Sequence, residues 1–211
     1  NRMYRGGEEA ERTEALARTF EVITAYQRVR NLEERVDAST YMAMSETYNR
    51  LRTELDRRLG GAPALAGVVA DGTGKMYDEF FASDTYGHVP YSAIRKTWEV
   101  IGSIRRMYPA HEIPITAQNL FNRAERQLRM MNEASEVNNY MADAEPGIRE
   151  QYLAPQTGNE NHRFTQSERF ALRQFEQNLE AFDTQLSVDN PYRIRVRAAL
   201  RDIRAAIIKD E

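Results

Sequence analysis

The sequence lacks cysteine entirely and has no long apolar run in its 211 residues. Without cysteine it has no disulfide, no thiol nucleophile and no cysteine-ligated metal, although this absence fits an oxidising compartment as well as a reducing one. The longest apolar run, from Ala62 to Ala70, is far shorter than the roughly 18 to 20 residues that span a bilayer. We therefore expect a soluble globular chain without a membrane span.

Lysine is almost absent as well. Only three of the 29 basic residues are lysines, at Lys75, Lys96 and Lys209. Arginine's planar guanidinium suits fixed interfaces and bidentate contacts with carboxylates, whereas GC-rich coding gives the same bias without a physical purpose. We favour the coding explanation. The formal net charge of −3 provides no overall attraction to nucleic acid or to an anionic membrane.

Residue patterns that carry catalysis or bind metal are not found. The three histidines, His88, His111 and His162, fall in predicted loops and lack the i, i+3 or i+4 spacing of a helical metal site. No serine lies in the nucleophile motifs G-x-S-x-G or S-x-x-K. From these patterns we predict no catalytic residue, no metal and no cofactor.

One glycine-rich stretch, VVADGTGKMY at 68–77, invites comparison with a phosphate-binding loop. That loop has the pattern G-x-x-x-x-G-K-[ST], in which the backbone surrounds a phosphate and the hydroxyl binds magnesium. Here Val69 stands in place of the first glycine and Met76 in place of the hydroxyl residue. We therefore interpret DGTG as a turn before a short helix around Lys75 to Ala82, and not as a nucleotide site.

Helical periodicity dominates the chain and predicts an all-α fold, with about six long helices stacked as antiparallel hairpins and no significant sheet. We divide the chain into an N-terminal helical hairpin (1–61), a Gly-rich connecting segment with one short helix (62–91), a central helical hairpin (92–143), a long loop (144–164) and a C-terminal helical hairpin (165–211). The long helices before the last hairpin are expected at about 8–36, 39–59, 92–107 and 116–142. The polar stretch 132–139 is expected to be weakly held or to meet a partner.

The C-terminal hairpin has the clearest pattern. Thr165 and Glu168 have the spacing of a capping box, and Asn190 followed by Pro191 is typical of a helix start. The apolar residues expected in the seam are Leu172, Phe175, Leu179, Phe182 and Leu186 on the first helix, and Tyr192, Val196, Leu200, Ile203 and Ile207 on the second.

Candidate partner-binding residues are arginines and tyrosines, which are both enriched at interfaces. Arg193, Arg197, Arg201 and Arg204 form a basic stripe that is able to contact phosphate or an acidic surface; the alternative is a solvated face partly compensated by Asp202. Among the 11 tyrosines, several lie outside the core stripes, and Tyr140 and Tyr152 join the candidates.

An internal similarity links two parts of the chain. TFEVI at 19–23 is followed by VDAST at 36–40, and TWEVI at 97–101 is followed by IPITA at 113–117. A duplicated helical hairpin explains this similarity, and so does chance resemblance between two helix-turn-helix segments.

The segment VDASTYMAMSETYNRL, at 36–51, resembles the start of a pentatricopeptide repeat, in which an acidic or proline step precedes a Thr-Tyr pair that opens a helical hairpin. The resemblance covers about sixteen residues. Members of that family repeat the pattern roughly every 35 residues, and the internal similarity of this chain does not follow that period. The resemblance implies RNA binding.

Taken together, these patterns favour a non-enzymatic structural or accessory subunit of a large multi-protein assembly. A mitochondrial complex is our first expectation and a virion our second. The mitochondrial location follows from the Arg-rich, Lys-poor composition and from a chain that begins at Asn1 without methionine, as after removal of a targeting peptide. Other protein subunits are the expected partners. The alternative function is a helical-repeat module that binds RNA through its arginines.

Overall fold

The computed structural model describes residues 36–82, 91–155 and 163–210. Within these ranges it contains helices and no strand, so the predicted all-α fold is confirmed. The helices are α1 (Ala38–Leu59), α2 (Gly61–Ala82), α3 (Tyr91–Met107), α4 (Ile115–Ile148), α5 (Gln166–Gln185) and α6 (Arg193–Asp210), with a short 3₁₀ helix at Ala110–Glu112 and a π-helix at Arg149–Leu153. The helix predicted at 8–36 and the histidines at 88 and 162 lie outside the described residues.

The chain divides into two compact units. The first comprises Asn1–Gly72 and Arg95–Glu125, and the second comprises Thr73–Ile94 and Arg126–Glu211. These boundaries fall inside helices and not between them. None of the described helices combines the length and the apolar composition that a membrane crossing needs.

Helix α1 begins and ends as its sequence predicts. The Asp37 side chain accepts a 2.7 Å hydrogen bond from the Thr40 hydroxyl and a 2.9 Å hydrogen bond from the Thr40 backbone N–H. These two bonds lower the pKa of Asp37, the bond from the hydroxyl being the larger cause. At the other end, Gly60 has a φ of 87° and donates its N–H to the Asp56 carbonyl. The next residue, Gly61, has a φ of 71°. Two left-handed residues in succession explain why glycines separate α1 from α2.

Helix α2 corrects our interpretation of residues 62–91. The stretch expected to be a Gly-rich connection with a short helix from about residue 75 is one continuous 22-residue helix up to Ala82, and DGTG lies in its middle. Each helical glycine costs roughly 1 kcal/mol relative to alanine, but burial of apolar side chains outweighs this cost. Leu65, Ala66, Val69 and Ala70 are all buried on one side. In a continuous helix the backbone N–H groups are bonded within the helix, so this stretch has no free cradle for a phosphate.

In the first unit, a polar cluster joins α1 to the segment after α3. Tyr108 is buried and its hydroxyl donates a hydrogen bond to Asp56. The Arg52 guanidinium lies 4.5 Å from the centre of the Tyr108 ring and forms an ion pair with Glu112. Burial and the neighbouring Asp56 carboxylate raise the pKa of Tyr108, which keeps its hydroxyl protonated as a donor.

Helix α4 corrects the loop expected at 144–164. It continues through Pro146 to Ile148 and passes into the π-helix, so helical structure extends to residue 155, and 156–162 lie outside the described residues. Pro146 removes one backbone donor and does not end the helix. Ile148, Tyr152 and Leu153 pack against the apolar core of the second unit, and this burial favours the continued helix.

The polar second half of α4 is also an element of that core. Of the two expectations for it, that it is weakly held is wrong, and that it meets a partner stays a prediction. Ser135 and Asn138 are buried, and the side chain of each takes part in a hydrogen bond. The Ser135 hydroxyl donates to the Met131 carbonyl over 2.6 Å. The polar group facing Asn138 is the hydroxyl of Tyr192, which lies in the same unit at the start of α6.

Candidate docking face of the C-terminal hairpin

Helices α5 and α6 form the predicted antiparallel hairpin, and the capping box predicted at the start of α5 is present. The Glu168 N–H donates to the Thr165 hydroxyl over 3.3 Å, and the Thr165 N–H donates to the Glu168 carboxylate over 2.7 Å, which completes the capping box. Every apolar residue predicted in the seam is buried except Phe182, which is partly buried and packs against the same core.

The turn between the two helices is attached to α4 through Asn190. Its side-chain oxygen accepts the Tyr192 N–H over 3.0 Å, and its amide donates to the Met130 carbonyl over 3.0 Å and to the Glu133 carboxylate over 3.2 Å. Asn190 is almost fully buried, so these bonds satisfy a side chain that water does not reach. The attachment fixes where α6 begins, and therefore which of its residues face outward.

On the outward side, the predicted basic stripe meets a row of acids on α5. The Nε atoms of Arg193 and Arg197 lie 3.1 and 3.0 Å from the same Asp183 oxygen. The hydrogen bonds from Arg193 and Arg197 lower the pKa of Asp183, the bond from Arg193 being the larger cause. One carboxylate thus orders two guanidinium groups.

The other two arginines of the stripe differ from each other. Arg204 forms ion pairs with Glu176, at 2.9 Å, and with Glu180. These carboxylates raise the pKa of Arg204. Arg201 has a single ion-pair contact among the described residues, at 3.9 Å to Asp202 of its own helix, and its side chain is 78% exposed. Arg201, the third of the four arginines, therefore contacts an acid of its own helix and not one of α5.

The same face carries two large apolar side chains in solvent. Ile194 is 75% exposed near the start of α6, and Ile208 is 69% exposed near its end. Between α5 and α6 runs an open groove of about 820 Å³. Its lining includes Glu180 and Asp183 of α5 and Leu200, Arg201 and Ala205 of α6. The groove thus combines apolar contact area with charges of both signs.

The two candidate tyrosines lie elsewhere in the second unit. The Tyr140 ring lies 5.9 Å from the Phe175 ring in a stacked arrangement, and its hydroxyl accepts a hydrogen bond from Asn178. The Tyr152 ring meets the Phe164 ring edge-on at 6.3 Å. Both tyrosines pack against the apolar core, so the structure does not bring them together with the arginine stripe.

Two parts of this face were not predicted from the sequence: the acidic row on α5 and the exposed isoleucines on α6. Glu176, Glu180 and Asp183 repeat at intervals of four and three on α5, which is the signal that was available for an acidic row. Elsewhere, within the described ranges, no group of three or more histidine, aspartate or glutamate side chains is placed to hold a metal ion.

Comparison with protein-family models, with curated proteins and with solved structures finds no match for this chain. The resemblance of residues 36–51 to a pentatricopeptide repeat therefore gains no support from a family model. Any functional conclusion depends on the residues and contacts of the chain itself.

Proposed function

We propose that this chain is a non-enzymatic structural or accessory subunit of a larger protein assembly and that it docks through the outer face of the α5–α6 hairpin. The observation that carries the proposal is the exposure of Ile194 and Ile208 on α6, whose other large apolar side chains, Val196, Leu200, Ile203 and Ile207, are buried. Burying a side chain of this size stabilises a complex by about 1.5 to 3 kcal/mol, and this gain is obtained only when a partner covers the side chain. Two such residues beside an open groove suit a helix or a loop of a partner.

The ordering of the arginines on this face supports the proposal that the partner is a protein. Arg193, Arg197 and Arg204 are held by acids of α5, so their side chains lose less conformational freedom when a partner covers them. The same pairing counts against the alternative, RNA binding, because a phosphate would compete with carboxylates already in place. Arg201 alone does not have such a carboxylate of α5.

For the identity of the assembly, a mitochondrial complex remains our first proposal and a virion our second. Both rest on the composition, which uses arginine for nearly all of its basic residues. Protein subunits are the proposed partners, and no cofactor is part of the proposal.

The test uses the full chain, expressed with a small tag in its native cells, and compares two variants. The double variant Ile194→Ser, Ile208→Ser removes the apolar contacts, and Met42→Ser, at a position on α1 that is 72% exposed, serves as the matched control. We expect the unmodified chain and the control to elute in a large complex on size-exclusion chromatography, and the double variant to elute as the free protein. Circular dichroism verifies that both variants are folded.

Two results would overturn the proposal: elution of the unmodified chain free of any larger particle, or retention of the double variant in the complex. Titration of the purified chain with single-stranded RNA at two salt concentrations tests the alternative. Salt-dependent RNA binding that is lost when Arg193, Arg197 and Arg201 are replaced would favour the RNA-binding module instead.

A further inference from the structure

One helix of the first unit has cations that find no partner among the described residues. Helix α3 carries four basic residues and one acid, which leaves a formal charge of +3 in a chain whose net charge is −3. Arg105 forms an ion pair with Glu125 of α4 at 3.2 Å. Arg95, Lys96 and Arg106 are exposed, and within the described part of the chain none of them has an ion pair or a hydrogen bond. Their charge is therefore available to an anionic ligand.

The only tryptophan of the chain lies among these cations. Trp98 is 39% exposed, and Arg95 three residues before it and Gly102 four residues after it lie on the same side of α3. The Arg106 guanidinium lies over Gly102, where an added Cβ would meet its Nη2 atom at 3.7 Å. The glycine thus leaves space for a cation one helical turn from the indole. Arg95, Trp98, Gly102 and Arg106 are called the Trp98 face below.

The Trp98 face combines the two kinds of group that a single-stranded nucleic acid requires. Each nucleotide has a flat base and a negatively charged phosphate. An exposed indole provides a surface on which any base stacks, and guanidinium groups bind phosphate or stack on a base themselves. Because Trp98 has an arginine on either side of it along the helix, a base on the indole has a cation on each side for its neighbouring phosphates.

Three other partners fit this face less well. A membrane surface binds helices that have an exposed apolar side, and Ile101 and Ile104 of α3 are buried. A protein interface has an apolar centre, for which α6 offers exposed isoleucines, whereas the Trp98 face offers one ring beside cations. A nucleic-acid duplex hides the flat faces of its bases in the stack, so an unpaired strand is the best match.

From these observations we infer that the Trp98 face binds unpaired RNA, with a base stacked on the indole and the adjoining phosphates held by Arg95 and Arg106. RNA is the nucleic acid in which unpaired loops and ends are ordinary targets of proteins. One ring and two arginines give a modest affinity, with a Kd of about 10⁻⁴ to 10⁻⁶ M at physiological salt. The inference goes beyond the proposed function, because it adds a second kind of partner at a different helix.

The single tryptophan makes the site directly observable. Fluorescence of the purified full chain, excited at a wavelength that tyrosine does not absorb, reports on Trp98 alone. The titrant is an oligouridylate of about 12 nucleotides, which has little structure of its own. We expect saturable quenching of the Trp98 fluorescence. Two phosphate contacts with a single strand predict binding that is about sevenfold weaker in about 200 mM salt than in about 50 mM salt.

Substitutions on the face test the role of each group, with the fluorescence anisotropy of a labelled oligouridylate as the readout. Trp98→Ala should weaken binding by about tenfold or more, whereas Trp98→Phe, which keeps a ring, should retain most of the affinity. Arg95→Gln and Arg106→Gln should each weaken binding and reduce its salt dependence by the share of one phosphate contact. Glu99→Gln removes the only acid of α3 and should tighten binding.

The matched control removes the same charge from another helix. Arg50→Gln lies on α1, where the Arg50 side chain is 76% exposed, and it should change the affinity by less than about twofold. Far-UV circular dichroism verifies that each variant is folded. Three results would overturn the inference: no quenching of Trp98 by millimolar oligouridylate at low salt, a folded Trp98→Ala variant that binds as tightly as the natural chain, or equal quenching by an RNA duplex or by phosphatidylserine vesicles.

The double variant Ile194→Ser, Ile208→Ser separates this inference from the proposed function. It should bind oligouridylate as the natural chain does, because its substitutions leave α3 unchanged. Loss of RNA binding in this variant would assign the RNA to the α5–α6 face and contradict the inference. If the Trp98 face fails to bind RNA while the natural chain still elutes in a large complex from cells, the proposed function stands without it.

Discussion

The inner and outer faces of the α5–α6 hairpin come from the same two helices and have opposite chemistry. The inner face is apolar and closed to water, with Leu172, Leu179 and Ile203 at 1% exposure or less. The outer face combines exposed isoleucines with ion pairs that remain accessible to solvent. The difference teaches that the apolar core and the proposed docking face are separated here by half a helix turn, so substitutions on the outer face are expected to leave the core intact.

The largest expected effect comes from the inner face. Phe175→Ala or Leu179→Ala should lower the free energy of unfolding by about 2 to 5 kcal/mol, because each leaves a cavity in the seam. Chemical denaturation monitored by circular dichroism measures the change. Ile194→Ala on the outer face is the control and should change stability by less than about 0.5 kcal/mol. Equal losses of unfolding free energy from substitutions on the two faces would contradict the distinction between a buried inner face and an exposed outer face.

The turn that sets the orientation of the faces should give the next largest effect. Asn190→Ala removes the bond to the Tyr192 N–H and leaves the Met130 carbonyl without this donor, so we expect a loss of about 1 to 3 kcal/mol. Asn190→Asp keeps the acceptor but places a carboxylate beside Glu133, and it should lose stability as well. Denaturation midpoints equal to that of the natural chain would show that the turn does not hold α6 in place.

A substitution in α2 is expected to raise the free energy of unfolding and not to lower it. A Cβ added at Gly72 would meet no other atom within 4 Å. Gly72→Ala should therefore stabilise the protein by about 0.5 to 1 kcal/mol, because alanine loses less backbone entropy in a helix. Gly60→Ala is the matched comparison and should destabilise the protein, because Gly60 has a φ of 87°, which alanine adopts only at an energetic cost. A loss of stability from Gly72→Ala would argue that residue 72 is not helical.

The smallest effect is expected from the outer ion pairs, and it depends on pH. The guanidinium groups of Arg193 and Arg197 lower the pKa of Asp183 in the folded state, so the unfolded chain binds its proton more readily. The stabilisation is therefore present above the unfolded pKa of about 3.9 and is lost as the pH falls through the lower folded value. Asp183→Asn should weaken this acid-side dependence in thermal unfolding between about pH 5 and pH 2. An unchanged pH profile would mean that the pairs do not contribute to folding.

How much of this was predictable from the sequence differs between regions, for identifiable reasons. The α5–α6 hairpin has strong three-and-four periodicity, and its capping residues act within three positions along the chain, so local rules suffice. Helix α2 was misread because glycines usually mark turns, and the burial of Leu65 and Val69 that overrides them depends on distant contacts. The burial of the polar stretch 132–139 could not be predicted for the same reason, since the hydroxyl that bonds to Asn138 belongs to the distant Tyr192.

The candidate site, like the fold, could be predicted from the sequence only in part. The arginine stripe was visible as a spacing of four, four and three, but the sequence did not show that three of its members pair with acids of α5 while Arg201 contacts Asp202 of its own helix. That division depends on the register in which α5 lies beside α6, and the turn at Asn190 fixes this register through bonds to α4. The partner-binding role of the stripe remains a prediction.

The end of the hairpin that lies away from the Asn190 turn is also held together by hydrogen bonds. The Asp210 side chain accepts the Phe164 N–H over 2.7 Å and forms a 2.6 Å ion pair with Arg169, while Arg163 donates to the Lys209 carbonyl. Helix ends ordinarily fray and exchange their amide hydrogens within the shortest labelling times. Here the last turn of α6 is joined to the start of α5, so deuterium uptake in that turn should be delayed to the timescale of the whole hairpin opening. A fusion partner attached after α6 would therefore emerge beside the start of α5, at the opposite end of the hairpin from Asn190.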